Sequence, residues 1–343
     1  MKKKNVIVIG GGPAGIEIAQ ILSNYSCNVT LFEKEPQVGG QIKRIDKLFP
    51  DFIVQDEMMQ KLISNLEKTD IQIHTDTEIK DIEQIDNIWH LKTNKEEAFT
   101  ADAVVLATGF KTFDPKYKEE LGYGIYPGVI TTLEFEDMLK AGKIQTSAGE
   151  EPRRIAFLNC VGSRDEKVGN HYCSRVCCIN AVKQSIETKE LLPNAEVFCF
   201  YMDLRMSGQF YEELYRKSQE KHGVNYIRGR ISEASSTFDH RIQIKSEDTL
   251  AGLPLKMTVD LLVLMIGVEA SEGTTNLSAK AGILGEYGFA KSLSLHLKDN
   301  LTKKEGLFLA GACKRPSTLR EVIADARAAA FEVVNYLKME ING

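Results

Sequence analysis

The segment Val6-Ile-Val-Ile-Gly-Gly-Gly-Pro-Ala-Gly15 is the main evidence for the fold of this 343-residue chain. Its first four residues are apolar and β-branched, which predicts a buried strand. Gly10, Gly12 and Gly15 fit the pattern G-x-G-x-x-G, and a helical pattern of apolar residues follows from Ile16. A strand, a tight glycine turn and a helix in this order predict a βαβ unit that binds a dinucleotide, because the glycines let the backbone approach a pyrophosphate.

A carboxylate at the end of the next strand supports this interpretation. The second strand is predicted at residues 29–33 and ends in Glu33. At that position a carboxylate accepts hydrogen bonds from ribose hydroxyls and disfavours a 2'-phosphate. The candidate residues of the first part of the site are Gly10, Gly12, Pro13, Ala14, Gly15, Glu33, Lys34, Gly40, Gln41 and Ile79.

Two later segments add to the site. Ala107-Thr108-Gly109 closes a strand predicted at residues 103–106, and Gly311 closes another, just before an alanine-rich helix over residues 319–338. Together with the first glycine loop, this set resembles the two-dinucleotide-binding-domain flavoproteins, the group that includes thioredoxin reductase. The candidate residues here are Ala107, Thr108, Gly109, Gly311, Ala312 and Val322.

This resemblance implies FAD as the dinucleotide. Its diphosphate would lie at the first glycine loop, and the Gly311 segment would reach its ring. Amide groups near Val322, at the start of the last helix, would face the pyrimidine edge of the flavin and stabilise negative charge on it. Ala312 stands where the group usually has an acid, so this contact departs from the common pattern.

The chain is predicted to be an α/β protein of two dinucleotide-binding-type domains, like thioredoxin reductase. A Rossmann-type FAD domain would comprise residues 1–113 and 269–343. A glycine- and proline-rich connecting segment at 114–151 would lead to an inserted second α/β domain at 152–268, where a strand, a helix and a strand repeat the opening pattern.

Composition excludes several classes of protein. The formal net charge of -5 argues against binding to nucleic acid, which requires a cationic surface. The longest apolar run, at residues 259–268, is too short to insert in a membrane. The start of the chain lacks the pattern of a signal peptide, which predicts a cytoplasmic protein. There, seven cysteines favour thiols, metal ligands or redox chemistry over structural disulfides.

Four of those cysteines lie close together: Cys160, Cys173, Cys177 and Cys178. Their spacing favours an iron-sulfur cluster, because several thiolates in one pocket repel one another unless a cation compensates them. A structural zinc site, a redox disulfide and unrelated buried thiols remain alternatives.

The cysteine loop stands where a second glycine motif would bind NAD(P)H, so we expect nicotinamide binding to be impaired. No C-x-x-C pair is present for a thioredoxin reductase dithiol. Cys27 and Cys199 lie in apolar strands and are interpreted as packed thiols, whereas Cys313 is ambiguous.

The cysteine loop also carries a more specific resemblance. The segments Cys160-Val-Gly-Ser-Arg-Asp165 and Tyr172-Cys-Ser-Arg-Val-Cys-Cys178, with residues 123–136 and Tyr201-Met-Asp-Leu-Arg205, resemble the A subunit of heterodisulfide reductase and its shorter relatives. Among those relatives are the A subunits of the heterodisulfide reductase-like complex of sulfur oxidisers and of the quinone-interacting membrane-bound oxidoreductase. The ferredoxin-type run C-x2-C-x2-C-x3-C of the long family members is absent.

The resemblance implies an oxidoreductase subunit with FAD and one 4Fe-4S cluster held by the four cysteines. It would convert two-electron to one-electron transfer in sulfur or related redox metabolism, with other subunits and electron carriers as partners and a homodimer by analogy. Lys183 matches a lysine beside the flavin and is the candidate catalytic residue. The alternatives are a self-sufficient NAD(P)H-dependent flavin reductase and a non-catalytic FAD-bound scaffold with a zinc site.

Overall fold

A computed structural model describes residues 3–339 of the chain. Within that range it has seven α-helices and eighteen β-strands. The helices are α1 (Pro13–Ser23), α2 (Gln55–Leu66), α3 (Thr132–Lys140), α4 (Cys177–Leu191), α5 (Tyr211–Glu220), α6 (Glu272–Lys280) and α7 (Leu319–Leu337). The strands are β1 (Lys4–Ile9), β2 (Cys27–Phe32), β3 (Gln72–His74), β4 (Ile79–Ile85), β5 (Ile88–Thr93), β6 (Ala98–Ala101), β7 (Ala103–Leu106), β8 (Phe110–Thr112), β9 (Val129–Thr131), β10 (Arg154–Val161), β11 (Glu196–Tyr201), β12 (Asn225–Arg228), β13 (Ile231–Ser236), β14 (Ile242–Asp248), β15 (Leu253–Val259), β16 (Leu261–Ile266), β17 (Val268–Ala270) and β18 (Leu307–Leu309).

The first compact unit comprises Met1–Lys43, Asp56–Lys111 and Glu269–Gly343. Its parallel sheet has the strand order β18-β7-β1-β2-β3, and a smaller antiparallel sheet has the order β4-β5-β6. Apolar residues of β1 face both ways: Val6 and Val8 pack with α1 and α7, while Ile7 and Ile9 pack with the antiparallel sheet. Burial on both faces explains why this strand is a continuous apolar run.

The second compact unit comprises Arg44–Gln55 and Thr112–Val268. Its parallel sheet has the order β12-β11-β10-β16-β9, and β13-β14-β15 form its antiparallel sheet. β10 therefore takes the place that β1 has in the first unit, with its partners in the same relative order. The predicted α/β fold, in which a second Rossmann-like unit interrupts the first, is confirmed.

The segment expected to connect the domains has a structure of its own. Residues 114–151 include β9, which pairs in parallel with β16, and α3, which begins with a capping box between Thr131 and Glu134. Residues 44–55 also belong to the second unit. The expectation of a simple connection therefore differs from the structure, because a three-residue strand between glycine-rich turns has too little apolar pattern to be recognised.

α7 closes one face of the first unit. Its 19 residues present a buried row that includes Ala326, Ala329, Ala330 and Val333, which pack against the sheet and α1. Small side chains in this row allow the close approach of two helices. In the described part of the chain, no helix has both the length and the apolar character needed to span a bilayer.

Candidate functional site

The glycine loop after β1 is so tightly held that two of its three motif glycines have no room for a side chain. At Gly10, where φ is +108°, an added Cβ would lie 2.4 Å from the carbonyl oxygen of Ala107. At Gly15 it would lie 1.8 Å from the carbonyl oxygen of Gly10. At Gly12 the nearest atom would be the Cα of Gly40, at 4.0 Å. The loop is therefore open at Gly12, where a pyrophosphate has to approach the backbone.

α1 starts directly after this loop with an N-terminus that has no side-chain cap. Gly12 is the N-cap residue and has no side chain that could accept a hydrogen bond from the amides of the first turn, and Pro13 is the first residue of the helix. The first turn carries no acidic side chain. Unpaired amides and the positive end of the helix dipole make such an N-terminus an anion site. These features fit the diphosphate of FAD.

Glu33 lies at the end of β2, beside the same loop. The side chain is buried, and its Oε2 accepts a hydrogen bond from the amide of Gly11 at 2.7 Å. Its Oε1 accepts a second one from the amide of Glu35 at 2.9 Å. The carboxylate thus fixes the loop as well as standing at the ribose position of the motif, and the ribose contact itself stays a prediction.

The other residues predicted around this loop differ in what they offer a ligand. Gly40 and Gln41 begin a 3-10 turn and reach the surface, and Lys34 is exposed. Ile79 is buried, and its side chain packs in the core between the two sheets of the first unit. Only the main chain of Ile79 is therefore available for contact with a cofactor.

The turn after β7 contains the predicted Ala107-Thr108-Gly109. The hydroxyl oxygen of Thr108 lies 2.6 Å from that of Thr274, at the start of α6. Gly109 has φ of +63°, and no atom would lie within 4 Å of a Cβ added there. The turn is thus anchored at Thr108 and open at Gly109.

The turn after β18 meets the first turns of two helices. A Cβ added to Gly311, where φ is +71°, would lie 3.0 Å from the Cβ of Ala14 and 3.3 Å from Cγ1 of Val322. The amide of Gly311 donates a hydrogen bond to Oδ2 of Asp325 at 2.6 Å. Since Ala312 has no carboxylate, Asp325 supplies the acidic group beside this turn.

Asp325 belongs to an ionic network that sequence reasoning missed. The Nζ atom of Lys314 lies 2.6 Å from Oδ1 of Asp325 and 2.9 Å from Oδ2 of Asp299, and only 3% of the Lys314 side chain is exposed. Asp325 follows Val322 by three residues, so both lie on one face of α7. The three-residue spacing between Val322 and Asp325 was thus the feature of the sequence that could have predicted an acid near Gly311.

The amide of Val322 is already engaged within α7. Its amide donates a hydrogen bond to the carbonyl of Thr318 at 2.9 Å, as in a regular helix. Thr318 and Glu321 form a capping box that binds further amide groups of the first turn. This cap uses the amides of Thr318 and Glu321, and a contact between the other amides of the first turn and the flavin stays a prediction. Val322 contributes its side chain, which packs on Gly311.

The four predicted cluster ligands come from the end of β10, the loop after it and the start of α4 in the second unit. Cys160 lies near the end of β10 in the left-handed region, with φ of +63°. Cys177 and Cys178 are the first two residues of α4, and Cys173 precedes them in the loop. The exposed fractions of Cys160, Cys177 and Cys178 are 3%, 5% and 5%, whereas Cys173 is partly exposed.

The loop at residues 162–176, which contains Cys173, folds back on itself. The side-chain amide of Asn170 donates a hydrogen bond to the carbonyl of Gly162 at 3.0 Å. A Cβ added to Gly162 would lie 2.1 Å from the ring of Phe113, which covers it. In the first unit the helix starts at once after the glycine turn, whereas here this longer loop precedes it. The second unit consequently lacks the tight phosphate-binding turn of the first.

The thiols of this loop influence one another. Burial raises the pKa of the Cys160 thiol to about 11, and the neighbouring Cys178 adds to the rise. Burial and the three other thiols raise the pKa of Cys177 well above its usual range. Charged forms of these buried thiols need a compensating cation, and the N-terminus of α4, which has no side-chain cap, adds positive potential. This donor set fits an iron-sulfur cluster held by four cysteines.

Zinc would require a different arrangement of the same thiols. A structural zinc ion needs its sulfur ligands about 2.3 Å from one point. In a cluster, each cysteine binds a different iron, so its ligands lie farther apart. Within residues 3–339, no group of three or more His, Cys, Asp or Glu side chains is placed to hold a single metal ion. The two alternatives thus differ in the spacing of their sulfur atoms, and the metal content of the protein distinguishes them.

The remaining cysteines have other surroundings. Cys27 and Cys199 lie in the cores of the first and the second unit, which confirms that they are packed thiols. Cys313 is fully buried, and its Sγ lies 3.1 Å from the carbonyl oxygen of Leu106. All seven cysteines are free thiols.

Lys183, the candidate catalytic residue, lies in α4 and is fully buried. Its Nζ atom lies 2.9 Å from the carboxylate of Glu136, 2.9 Å from the carbonyl oxygen of Lys47 and 3.2 Å from the carboxylate of Glu187. An ammonium group has three protons, and these three acceptors account for them. In the described structure its partners are thus groups of its own unit, and a role beside the flavin stays a prediction.

Comparison with known proteins agrees with this geometry. Residues 1–149 match the family model described as pyridine nucleotide-disulphide oxidoreductase. The structure of Lactococcus lactis thioredoxin reductase in its FR conformation covers 98% of this chain and 99% of its own, with a TM-score of 0.69 and 18% identity. At that identity the likeness concerns the fold, which is the two-domain fold of the thioredoxin reductases.

Two archaeal proteins are similar over 96% of this chain. The iron-sulfur A subunit of the CoB-CoM heterodisulfide reductase of Methanocaldococcus jannaschii is 31% identical. The A subunit of the H(2)/formate:CoB-CoM heterodisulfide,ferredoxin reductase of Methanococcus maripaludis is 33% identical. The chain spans 64% of the length of each, and both alignments extend over 420 positions, so the relatives contain additional segments. Over almost its whole length, the chain is therefore similar to the A subunits of heterodisulfide reductases.

Proposed function

We propose that the chain is an FAD- and 4Fe-4S-containing electron-transfer subunit of a heterodisulfide reductase-like complex. The activity would be that of an oxidoreductase which links two-electron to one-electron transfer in sulfur or related redox metabolism. Other subunits and electron carriers would be its partners. The cytoplasmic location and the homodimer expected from the sequence stay predictions.

One observation carries this proposal: the convergence of four thiols at the start of α4. Cys160, Cys177 and Cys178 are buried together, and Cys173 closes the loop at the surface. Other thiols of the set contribute to the raised pKa values of Cys160 and Cys177, which supports their proximity. Such a concentration of thiols suits a cluster with four cysteine ligands.

The flavin would be bound by the first unit. The open backbone at Gly12 and the uncapped start of α1 would hold the diphosphate, and Glu33 would bind the ribose. The turns at Gly109 and Gly311, both with positive φ, would lie along the rest of the cofactor. When bound, FAD accepts electrons in pairs or singly, while an iron-sulfur cluster carries them singly.

The protein's own contribution is electrostatic. The N-terminus of α4 stabilises negative charge on Cys177 and Cys178. Arg164 lies within hydrogen-bonding reach of the Cys160 sulfur and offsets part of the same charge. Burial of three of the four thiols excludes water from most of the site, which protects such a centre and strengthens these interactions.

The test is anaerobic purification followed by analysis of iron, zinc and flavin, with electron paramagnetic resonance after reduction. We expect about four irons and one FAD per chain and a cluster signal. One zinc per chain without cluster absorbance would instead identify the zinc scaffold. Rapid bleaching of the flavin by NADH or NADPH without partner proteins would identify the self-sufficient reductase.

A pair of variants sharpens this test. Cys177→Ser removes one proposed ligand and should lose or alter the cluster signal while FAD is retained. Cys27→Ser changes a thiol that is buried in β2 of the first unit, which carries none of the proposed ligands, and it should leave iron content and signal as in the parent protein. An unchanged signal in Cys177→Ser would contradict the ligand assignment.

A further inference from the structure

One of the four cysteines differs from the others in its access to solvent. Cys160, Cys177 and Cys178 are at most 5% exposed, whereas Cys173 is partly exposed. Electron transfer slows steeply with distance. A partner that exchanges electrons with a centre on these cysteines therefore approaches closest on the side of Cys173.

Arginines lie on the same side. Arg175 is exposed, and its amide donates a hydrogen bond to Sγ of Cys173 at 3.3 Å. The exposed Arg205 lies within electrostatic range of Cys173. Arg164 keeps 22% of its side chain exposed. The carboxylate of Asp203 binds both Arg164 and Arg205, so two of the three arginines on this side share one carboxylate.

This positive charge is a local feature. The chain as a whole has a formal net charge of -5, so its average surface repels acidic proteins. Arginine stays charged at every physiological pH, which makes the patch permanent. Two arginines that share one carboxylate retain positive potential toward the solvent.

We propose that the Cys173 face, defined by Arg164, Cys173, Arg175 and Arg205, is the docking surface for a small one-electron carrier protein with an acidic face. This rests on the proposed function, since it presupposes a cluster on the four cysteines. Complementary charge raises the rate of encounter and orients the partner. A small interface of this kind suits a carrier that has to leave after each transfer.

The step involves one electron and no bond. The reduced carrier would lose one electron and become oxidised, and a cluster held by the four cysteines would gain that electron. No proton or leaving group moves. The arginines act by bringing the carrier close to Cys173 and by offsetting negative charge across the interface.

The test uses the anaerobically purified holoprotein and a reduced plant-type [2Fe-2S] ferredoxin as the probe. Stopped-flow absorbance measures the second-order rate of electron transfer at increasing ionic strength. We expect the rate to fall as salt increases, and to be about tenfold lower at low salt in the double variant Arg175→Gln/Arg205→Gln. The rate of reduction by reduced methyl viologen, a small cationic one-electron donor, should not decrease in that variant.

Matched variants separate charge from structure. Arg205→Lys keeps the charge and should retain most of the rate, whereas Arg241→Gln removes an exposed arginine that pairs with Asp239 in the turn between β13 and β14, and should have no effect. Iron content and resonance signal are measured for every variant.

The outcomes distinguish the two proposals. Absence of a cluster from the parent protein would overturn the proposed function. A cluster that methyl viologen reduces, with a ferredoxin rate that is independent of salt, would overturn the docking surface alone. The salt dependence of the parent protein decides this even if the double variant loses its iron.

Discussion

The Nζ atom of Lys183 lies 2.9 Å from the carboxylate of Glu136, and both side chains are buried at 0% and 1% exposure. Glu136 also accepts hydrogen bonds from the amide of Asp46 at 2.9 Å and from the side chain of Gln184 at 2.6 Å. The pair therefore ties α3, α4 and the segment 44–55 together inside the second unit. A buried pair with this many partners is costly to break on one side.

Replacing Glu136 by Gln should destabilise the protein. The variant leaves the buried ammonium of Lys183 without its main counter-charge, and we expect a loss of about 3 kcal/mol in the free energy of unfolding. Urea unfolding at pH 7.5 measures it. Glu233→Gln, which breaks the exposed pair with Lys245, is the control and should change stability little. If Glu136→Gln and Glu233→Gln had equal free energies of unfolding, the buried pair of Lys183 and Glu136 would contribute no more to stability than an exposed pair.

Glu187 should make stability depend on pH. Burial raises the pKa of the Glu187 carboxyl to about 7, with the charge of Glu136 adding to the rise and Lys183 opposing it. Since an unfolded glutamate titrates near pH 4.5, the folded state binds the proton more tightly. Its stabilising contribution is complete below about pH 4.5 and is lost as pH rises through about 7.

Glu187→Gln should remove this dependence. At pH 8 the variant should exceed the parent protein in free energy of unfolding by up to roughly 3 kcal/mol, and the difference should shrink toward zero at pH 5. Urea unfolding at a series of pH values measures it. A difference that stays constant between pH 5 and 8 would show that Glu187 does not titrate in this range.

Gly12 and Gly15 should respond differently to alanine. A methyl group on Gly15 would overlap the carbonyl oxygen of Gly10, so Gly15→Ala should lower both the melting temperature and the flavin content. Gly12 has room for the methyl group, so Gly12→Ala should keep its melting temperature in the absence of flavin but bind FAD more weakly. Flavin fluorescence titration and thermal unfolding measure the two effects. Unchanged FAD affinity in Gly12→Ala would contradict the diphosphate site.

Asp325 should support the turn at Gly311. Asp325→Ala removes the acceptor of the Gly311 amide and one of the two carboxylates that bind Lys314. We expect a loss of about 1.5–3 kcal/mol in the free energy of unfolding, as for hydrogen bonds to charged groups. FAD affinity should fall as well, because Gly311 lies against Ala14 at the start of α1. Asp81→Asn, at an exposed pair with Lys280, is the control and should leave both quantities unchanged.

Local sequence patterns were sufficient for much of the fold. The strand at residues 6–9, the glycine turn and the helix after it can be predicted because every determinant lies within a few neighbouring residues. The cysteine spacing also indicated a cluster, since several thiolates close together in the sequence need a cation to offset their negative charge wherever the loop lies in the fold. Neither inference depends on contacts between distant parts of the chain.

The ionic networks could not be predicted in this way. Lys183 and Glu136 are 47 residues apart, and a lysine in a helix is usually solvated, so nothing in the local pattern indicates that folding buries both. Asp325 reaches Gly311 only because β18 and α7 pack together. Turn geometry and the spacing of apolar residues depend on adjacent residues. The free-energy cost of burying a charge, and the partner that offsets it, depend instead on which segments the folded chain brings into contact.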